Sequence, residues 1–379
     1  MFQIECITTE AGFDNLRPEW QELWQRSRVP SLFLTHDWIR CCWEEIGAPN
    51  ALRIYVVRSQ GRAIVIAPFM RSRRHRRRLP ADCLTFIEHP ETQLADFVLA
   101  LDQEVADALK MLLHFLYHER ANHWHILCLD KLPPHSTTVQ MLASAAGALR
   151  ARFEVRASHQ ALFIPIENTW ERYVHSRSSR FRKTLRNVSN RLDRLGKVEV
   201  KRYPGNLPGQ WAVQKLFAVS RGSWKVAEGI AITSARGRME FFERLLEASD
   251  AGKGLQIWIL EMNEQPIAAE AQIVDGDRVY ALRSDYDDRY ADSSPGSYLQ
   301  CEILKNLFAG PAKEYNLGVG LNSYKMRWAD HRVSLANFLL YRRSFYSHLL
   351  RSFDHYNFSR LKDMHALRGL HGLLPKNPS

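Results

Sequence analysis

The length of 379 residues predicts two domains, each large enough to bury its own core. With 45% hydrophobic and 25% charged residues the composition is that of a globular protein, which excludes wholesale disorder. The net charge of +11 favours an anionic partner, such as a phosphate, a nucleic acid or a lipid headgroup surface.

The sequence also lacks the patterns typical of secreted, membrane-spanning and metal-binding proteins. The first residues lack a basic region followed by an apolar one, and no apolar run approaches the roughly 20 residues of a membrane-spanning helix. None of the six cysteines forms a CxxC pair or has metal-ligand spacing to a histidine pair. We therefore expect a cytoplasmic protein with reduced thiols, no permanently bound cofactor and no metal site.

Positive charge is concentrated in two stretches. The octet Arg71–Arg78 holds six arginines, and residues 171–202 hold eleven lysines and arginines against three acidic residues. Both a solvated face and a phosphate-contacting surface are consistent with each stretch.

The N-terminal half alternates the periodicities of strands and helices. The predicted strands are Phe2–Thr9, Leu52–Arg58, Ala63–Met70, Ala95–Leu101, His123–Leu129 and Phe153–Ile166. The predicted helices are Phe13–Arg26, a second helix capped by Thr35 or His36, Glu104–Tyr117 and Thr137–Arg150. Ser59–Arg62 separates two β-rich runs and predicts a hairpin turn.

The second half repeats this order loosely, beginning near Ile166. Apolar residues at alternating steps of four and three predict the helix Arg177–Leu195, which Gly196 ends. Further predicted helices are Trp211–Trp224, Arg236–Ser249 and Ser297–Phe308, and the predicted strands are Lys197–Tyr203, Leu255–Met262, Ile267–Val274, Val279–Tyr286, Glu314–Gly318 and Ser334–Tyr341. The alternation predicts an α/β (α+β) fold class. We expect two mixed central sheets, each flanked by helices.

The tail from Arg343 onward is basic and has the periodicity of an amphipathic helix. Its apolar side chains either pack on the body of the protein or rest on an anionic membrane surface. Those side chains are Phe345, Leu349, Phe353 and Tyr356.

The segment from Val279 to Ser297 carries the clearest chemical signal. A strand leads through a polar loop ending at Gly296 to a helix that Ser297 opens. The N-terminus of such a helix offers unpaired backbone N–H groups and a positive dipole end, which suit a pyrophosphate. A Pro-Gly turn before a Ser cap is equally typical of an ordinary helix start.

Several motifs in this region resemble those of the cellulose-biosynthesis (CelD-type) acetyltransferase-like proteins of the GNAT superfamily. The matching residues are Pro266-Ile267-Ala268-Ala269, Ser284-Asp285-Tyr286-Asp287, Ser294-Pro295-Gly296, Leu317-Gly318-Val319-Gly320 and Tyr324-Lys325-Met326-Arg327-Trp328. Phe33–Trp38 and Ala67-Pro68-Phe69 resemble the start of the same proteins, so the resemblance runs from about residue 10 to 345. The chain is also distantly similar to Fem-type aminoacyltransferases, which pair two GNAT folds.

The resemblance implies two GNAT-like domains in tandem, at residues 1–166 and 167–344, followed by a tail at 345–379. It implies a donor site in the second domain, with the first shaping the acceptor site, and acyl-CoA, above all acetyl-CoA, as co-substrate. The donor loop departs from the family pattern because Gly296 is its only glycine. Another acyl-CoA, an acyl carrier protein or an aminoacyl-tRNA therefore stays open as the donor, whereas other nucleic-acid partners are not expected. The acceptor implied is an amine, on a cell-envelope or exopolysaccharide precursor.

Acyl transfer to an amine needs a base for the amine proton, a donor to the oxyanion and an acid near the departing thiolate. We predict Asp285 as the base, Glu270 as the second candidate and Tyr324 as the acid. The alternatives are that Asp285 only initiates a turn, that Glu270 faces solvent and that Tyr324 belongs to the core. The predicted donor contacts are Ser294, Gly296 and Ser297.

An anionic acceptor calls for cations, which we predict to be Lys325, Arg327, Arg180 and Lys183. Two other hypotheses remain open at this point. One is an inactive GNAT-fold scaffold, favoured by the single glycine of the loop, and the other is a basic nucleic-acid-binding protein.

Overall fold

A computed structural model describes residues 2–28, 30–47, 50–76, 79–119, 123–133, 136–204, 210–249 and 254–353. Two arginines of the octet, Arg77 and Arg78, lie outside these ranges, and so does the tail beyond Phe353, including Tyr356.

Strands and helices alternate along the chain. The strands are β1 Phe2–Ile7, β2 Ala51–Ser59, β3 Arg62–Arg76, β4 Leu79–Phe86, β5 Val98–Leu99, β6 Ile126–Leu132, β7 Arg152–Pro165, β8 Val198–Pro204, β9 Gly254–Met262, β10 Gln265–Asp275, β11 Arg278–Tyr286, β12 Glu314–Val319 and β13 His331–Tyr341. The helices are α1 Glu10–Asn15, α2 Arg17–Gln25, α3 His36–Ile46, α4 Val105–His118, α5 Thr137–Ala148, α6 Trp170–Ser176, α7 Ser179–Leu195, α8 Gln210–Arg221, α9 Arg236–Glu247, α10 Pro295–Ala309 and α11 Ser323–Trp328. The predicted α/β class is confirmed.

Local sequence explains where several elements begin and break. Thr35 caps α3, since its side chain accepts a hydrogen bond from the Trp38 N–H. The single helix predicted over Phe13–Arg26 is two helices, with Pro18 in the first turn of the second, where its missing N–H costs nothing. The predicted strand Ala95–Leu101 contributes only β5.

The described strands form one continuous sheet, whereas the sequence predicted two. Its order is β1-β2-β3-β4-β6-β13-β7-β12-β11-β10-β9-β8, with β5 paired to β3. Two pairs of neighbours are parallel, β4 with β6 and β11 with β12, and the remaining pairs are antiparallel.

The two halves of the sequence exchange their last strands. β7 ends the first half but pairs with β12 of the second, and β13 ends the second half but pairs with β6 of the first. β7 and β13 also pair with each other along most of their length, which joins the halves into one sheet. The division at residue 166 thus stays a prediction about the sequence repeat.

Helices cover both faces of the sheet, and the main core crosses between the halves. Trp38 of α3 packs edge-on against Phe241 of α9, with ring centres 5.5 Å apart. Phe33 similarly meets Tyr280 of β11 at 5.0 Å. A second core lies under α6, α7 and α10, with Leu192 and Ile303 fully buried. None of the described helices has both the length and the apolar character needed to cross a membrane.

The tail begins with helical residues 345–353, and its predicted packing is only partly correct. Phe345 is 87% exposed, whereas Leu350 is buried and the Tyr346 hydroxyl donates to the Pro80 carbonyl at 2.7 Å. The face toward the body is therefore the one that carries Tyr346 and Leu350.

Candidate active site

β11 and β12 run side by side only at their starts. Backbone pairing joins residues 278–280 to residues 314–316 and ends there, although both strands continue. A cavity of about 650 Å³ opens where they separate, lined by residues 281–286 of β11 and 317–319 of β12. We refer to this cavity as the cleft.

The N-terminus of α10 closes one side of the cleft. Ser294 precedes the helix in a left-handed conformation (φ 55°) and makes no side-chain capping bond. Pro295 occupies the first turn, and Gly296 and Ser297 line the cleft. A Cβ added to Gly296 would meet only Tyr286, at 3.5 Å, so glycine leaves the helix end open rather than relieving a clash. Pro295 has no N–H, and the N–H groups of Ser297 and Tyr298 donate to the Ser294 carbonyl, so the Gly296 N–H and the helix dipole are what would attract an anion here.

Glu270 of β10 lies beside the cleft and is 2% exposed. Its carboxylate accepts hydrogen bonds from Gln272 Nε2 and Ser284 Oγ, both at 2.6 Å. The Tyr315 hydroxyl donates a third. Burial raises the pKa of Glu270, and the three hydrogen bonds only partly oppose this.

This network reaches the cleft at two places. Ser284 is exposed and lines the cleft, so its hydroxyl connects Glu270 with the open space. On the other side Gln300 donates to the Tyr315 hydroxyl at 3.2 Å and accepts from the Tyr324 hydroxyl at 3.4 Å. The Tyr324 hydroxyl also lies 3.3 Å from the Gly296 carbonyl oxygen, and burial raises the pKa of Tyr324 above its ordinary value. Tyr324 therefore stays protonated next to the end of α10.

Asp285 has a different environment from Glu270. Its side chain is fully buried, with Lys225 Nζ at 2.5 Å and Arg283 Nε at 3.2 Å. Burial alone would raise the pKa of Asp285, but the two cations outweigh it and hold the pKa below its ordinary value. Asp285 is thus a weak base, and its clear role is to hold two cations against the cleft wall.

Lys325 of α11 lies in the cleft and is half-buried. Its Nζ donates to the Val319 carbonyl at 2.8 Å. Burial lowers the pKa of Lys325 to about 8, with Lys225 acting in the same direction and the carboxylates of Glu91 and Glu270 opposing. Arg327 lies at the mouth, where its guanidinium is 5.5 Å from the centre of the Tyr324 ring.

The N-terminal half supplies part of the cleft wall. Glu91 and Gln93, in the loop after β4, both line it. Gln93 Oε1 accepts the Val319 N–H at 3.0 Å, and a Cβ on Gly318 (φ 81°) would lie 2.9 Å from the same oxygen, so glycine is required there. Glu91 faces Arg283 at 3.6 Å, and burial raises the pKa of Glu91.

A buried histidine fixes this loop. His89 Nδ1 accepts the backbone N–H of Glu91 at 3.0 Å, and its Nε2 lies 2.6 Å from Glu45 Oε2 of α3. The ring stacks on Phe241 of α9 at 3.8 Å. Two helices, α3 and α9, therefore hold His89 and, through it, the backbone of Glu91.

The structure brings together most of the residues singled out from the sequence. Those that line the cleft are Glu270, Asp285, Ser294, Gly296, Ser297, Tyr324, Lys325 and Arg327. Arg180 and Lys183 do not: both are exposed on α7, outside the cleft lining. Sequence reasoning missed Tyr315 and Gln300, which it had no motif to find, and Glu91 and Gln93, which come from the other half of the chain.

One group of described side chains, Asp82, His123 and His125, is close enough to hold a metal ion. His125 Nδ1 accepts the Asp82 backbone N–H at 3.0 Å, so the ring proton sits on Nε2 and neither nitrogen has a free lone pair. Arg73 and Arg342 also act on His125 and help to lower its pKa, behind burial. The donor set therefore does not suit a cation.

Residues 179–326, which contain α7 and every cleft residue of the second half except Arg327, match the sequence model of the acetyltransferase (GNAT) domain. The second half of the chain therefore carries a domain of the GNAT acetyltransferase type. Domains of this type are acyltransferases by class.

Solved structures resemble this chain over most of its length. FemX is similar with a TM-score of 0.57 at 12% identity, covering 89% of this chain and 96% of that one. A DUF2156 domain from Agrobacterium fabrum, assigned to a lysylphosphatidylglycerol synthetase, gives a TM-score of 0.53 at 12% identity and covers 90% and 96% of the two chains. At this identity the likeness shows the fold. A comparison with curated protein sequences gives no match.

Proposed function

We propose that the cleft transfers an acyl group from acyl-CoA to a primary amine. The amine nitrogen attacks the thioester carbonyl, an amide C–N bond forms, and the C–S bond breaks to release a thiolate. The amine loses one proton and the thiolate gains one, so the site must accept a proton on one side and deliver one on the other.

Glu270 is the proposed proton acceptor, acting through Ser284. The exposed Ser284 hydroxyl takes the amine proton and passes its own to Glu270 across their 2.6 Å hydrogen bond. The raised pKa of Glu270 makes it a stronger base than Asp285, whose pKa is lowered. The original order of the two candidates is therefore reversed in this proposal.

The donor is proposed to lie with its pyrophosphate at the N-terminus of α10 and its thioester between the separating strands. Backbone pairing to β12 ends at Tyr280, so N–H groups of β11 beyond it can meet the developing oxyanion. Tyr324, held at the Gly296 carbonyl, would protonate the departing thiolate.

The acceptor is proposed to carry an anion as well as an amine. Lys325 and Arg327 would hold the anion, and Glu91 would face the ammonium form of the incoming amine. Such a molecule could be a cell-envelope or exopolysaccharide precursor, as in the families that the sequence resembles. A role for Arg180 and Lys183 would require a substrate long enough to extend from the cleft to α7.

The observation that carries the proposal is the meeting of an open helix N-terminus with a buried, proton-accepting network in one cavity. A thermal-shift screen tests it, because a ligand that binds the native state raises the apparent melting temperature. We expect acyl-CoAs to raise it and acyl-pantetheines, which keep the thioester and lack the pyrophosphate, not to. If only an acyl carrier protein or an aminoacyl-tRNA stabilises the chain, the donor assignment is wrong and the acyl-transfer class stands.

Contact of the tail with a membrane stays a prediction, since residues 354–379 lie outside the described ranges.

A further inference from the structure

Exposed apolar side chains concentrate at the mouth of the cleft. Trp224, Val226 and Ile230 follow α8, and Leu321 and Met326 lie in and just before α11, each 40–50% exposed. Twelve large apolar side chains of the described residues are exposed, and these five come from two segments of seven and six residues. We call these five side chains the rim.

Both segments belong to the cleft itself. Trp224 and Ile230 line it on one side, and Asn322 and Tyr324 line it on the other. A surface that covers the rim would therefore lie directly over the opening through which an acceptor enters.

The charges beside the rim are mostly positive. Residues 221–230 contain Arg221, Lys225 and Glu228, whereas residues 321–327 contain Lys325 and Arg327 and no acidic residue. Arg221 and Arg327 are both exposed. Lys225 and Lys325 are engaged inside the cleft with Asp285 and the Val319 carbonyl, so each rim segment presents one exposed arginine, and Glu228 is the exposed acidic residue between them.

We infer that the rim docks the cleft onto the surface of a bilayer containing anionic lipids. Tryptophan and aliphatic side chains enter the headgroup boundary while neighbouring cations stay at the phosphates. The net charge of +11 favours an anionic surface of this kind. The inference does not depend on the proposed acyl transfer, because docking requires no donor.

The first test compares two double variants of the full chain by co-sedimentation with vesicles. Trp224→Ser with Met326→Ser removes two rim side chains, and Trp211→Ser with Met111→Ser removes a matched pair that is 48% and 42% exposed elsewhere. On vesicles of phosphatidylcholine mixed with phosphatidylglycerol we expect the rim variant to bind about tenfold more weakly than the wild type, because it loses apolar surface to bury. The control should bind as the wild type does, and both variants should keep its melting temperature.

Equal binding by the rim variant and the control would overturn the proposal. So would equal binding of the wild type to vesicles of phosphatidylcholine alone, since the cations would then contribute nothing. If the rim instead joins two copies of the chain, the wild type would sediment as a dimer and the rim variant as a monomer, and this result too would overturn it.

The second test detects insertion of the rim even if the tail also binds vesicles. Phosphatidylcholine with brominated acyl chains quenches tryptophan fluorescence at the depth of the bromines. We expect the quenching to fall markedly in Trp224→Phe and to persist in Trp211→Phe. Quenching that is the same in both variants would show that the rim stays in water and would overturn the proposal.

Discussion

Glu270 and Asp285 are two buried carboxylates beside one cleft, and their surroundings move their pKa values in opposite directions. Glu270 is surrounded by neutral hydrogen-bond donors, so burial dominates and the charged form is disfavoured. Asp285 has two cations within 3.3 Å, which favour the charged form. The first arrangement suits proton transfer and the second suits the positioning of cations.

This difference predicts distinct consequences for two isosteric substitutions. Glu270→Gln should lower kcat by a factor on the order of 10² to 10⁴, because the proton acceptor is lost. It should leave the melting temperature unchanged or raise it, because a neutral amide replaces a buried carboxylate. Asp285→Asn should instead reduce the free energy of unfolding by an amount on the order of 3 kcal/mol, since it leaves partly buried Lys225 without its anion and Arg283 with Glu91 alone.

Steady-state kinetics and urea unfolding of both variants separate the two roles. Full turnover by Glu270→Gln together with a large loss of kcat in stable Asp285→Asn would restore Asp285 as the base.

The lowered pKa of Lys325 predicts a pH dependence of stability. In the unfolded chain this lysine titrates near 10.5, and in the folded protein near 8. Between these values the unfolded state binds more protons, so the contribution of Lys325 to stability becomes more favourable as the pH rises from 8 to 10.5. Lys325→Met should therefore be more stable than the wild type at pH 7, and the difference should shrink toward pH 10.

Urea unfolding of wild type and Lys325→Met across this pH range measures the effect. The exposed Lys110 of α4 provides a matched substitution, Lys110→Met, whose stability difference should not change in the same way. A constant difference for Lys325→Met would show that its pKa is ordinary.

At the level of elements, α10 is where a donor should bind. Gly296→Val should weaken acyl-CoA binding at least about tenfold, because a branched side chain covers the backbone N–H that a pyrophosphate would approach. The added Cβ meets only Tyr286 at an ordinary distance, so the protein should stay folded.

Gly147→Val of α5 is the control, since a Cβ there meets nothing within 4 Å and the helix lies outside the cleft lining. Calorimetric titration with acyl-CoA compares the two variants. Unchanged affinity in Gly296→Val would place the donor elsewhere.

The sequence predicted the elements that form the cleft better than those around it. The strand Val279–Tyr286 and the helix after Gly296 were correct because their periodicities and the Pro-Gly turn are strong local signals. β4 was missed because it contains Pro80 and Asp82, both poor strand formers. α6 and α11 have seven and six residues, too few for a helical period to show.

Part of the site could not be found from the sequence at all. Tyr315 meets Glu270 across 45 residues, and Gln93 meets Val319 across 226. Such contacts depend on the order of strands in the sheet, which local patterns do not specify. Arg180 and Lys183 lie outside the cleft lining, since a dense cluster of charge on a helix need not face a cavity, and their role stays a prediction.

For the whole molecule, the exchange of β7 and β13 predicts that neither half is stable alone. A fragment of residues 1–166 lacks β13, so β6 would present an unpaired edge, and a fragment of residues 167–344 lacks β7 beside β12. We expect each fragment to be unfolded or aggregated when expressed singly and to form a one-to-one complex when the two are co-expressed. Sedimentation velocity and circular dichroism check this. A cooperatively folded monomer of either fragment would show that the exchanged strand is dispensable.

The order of corresponding strands is the same when it is followed from either edge of the sheet. Two identical chains would form such a sheet if the last strand of each paired within the sheet of the other. The two halves of this sheet differ in what they can bind. α4 follows β4 and the short β5 in the first half as α10 follows β11 in the second, and Asp102 and Glu104 at the start of α4 would repel a phosphate. Glu91 of the first half lies in the wall of the cleft. The second half thus encloses the space for chemistry, and the first half forms part of its wall.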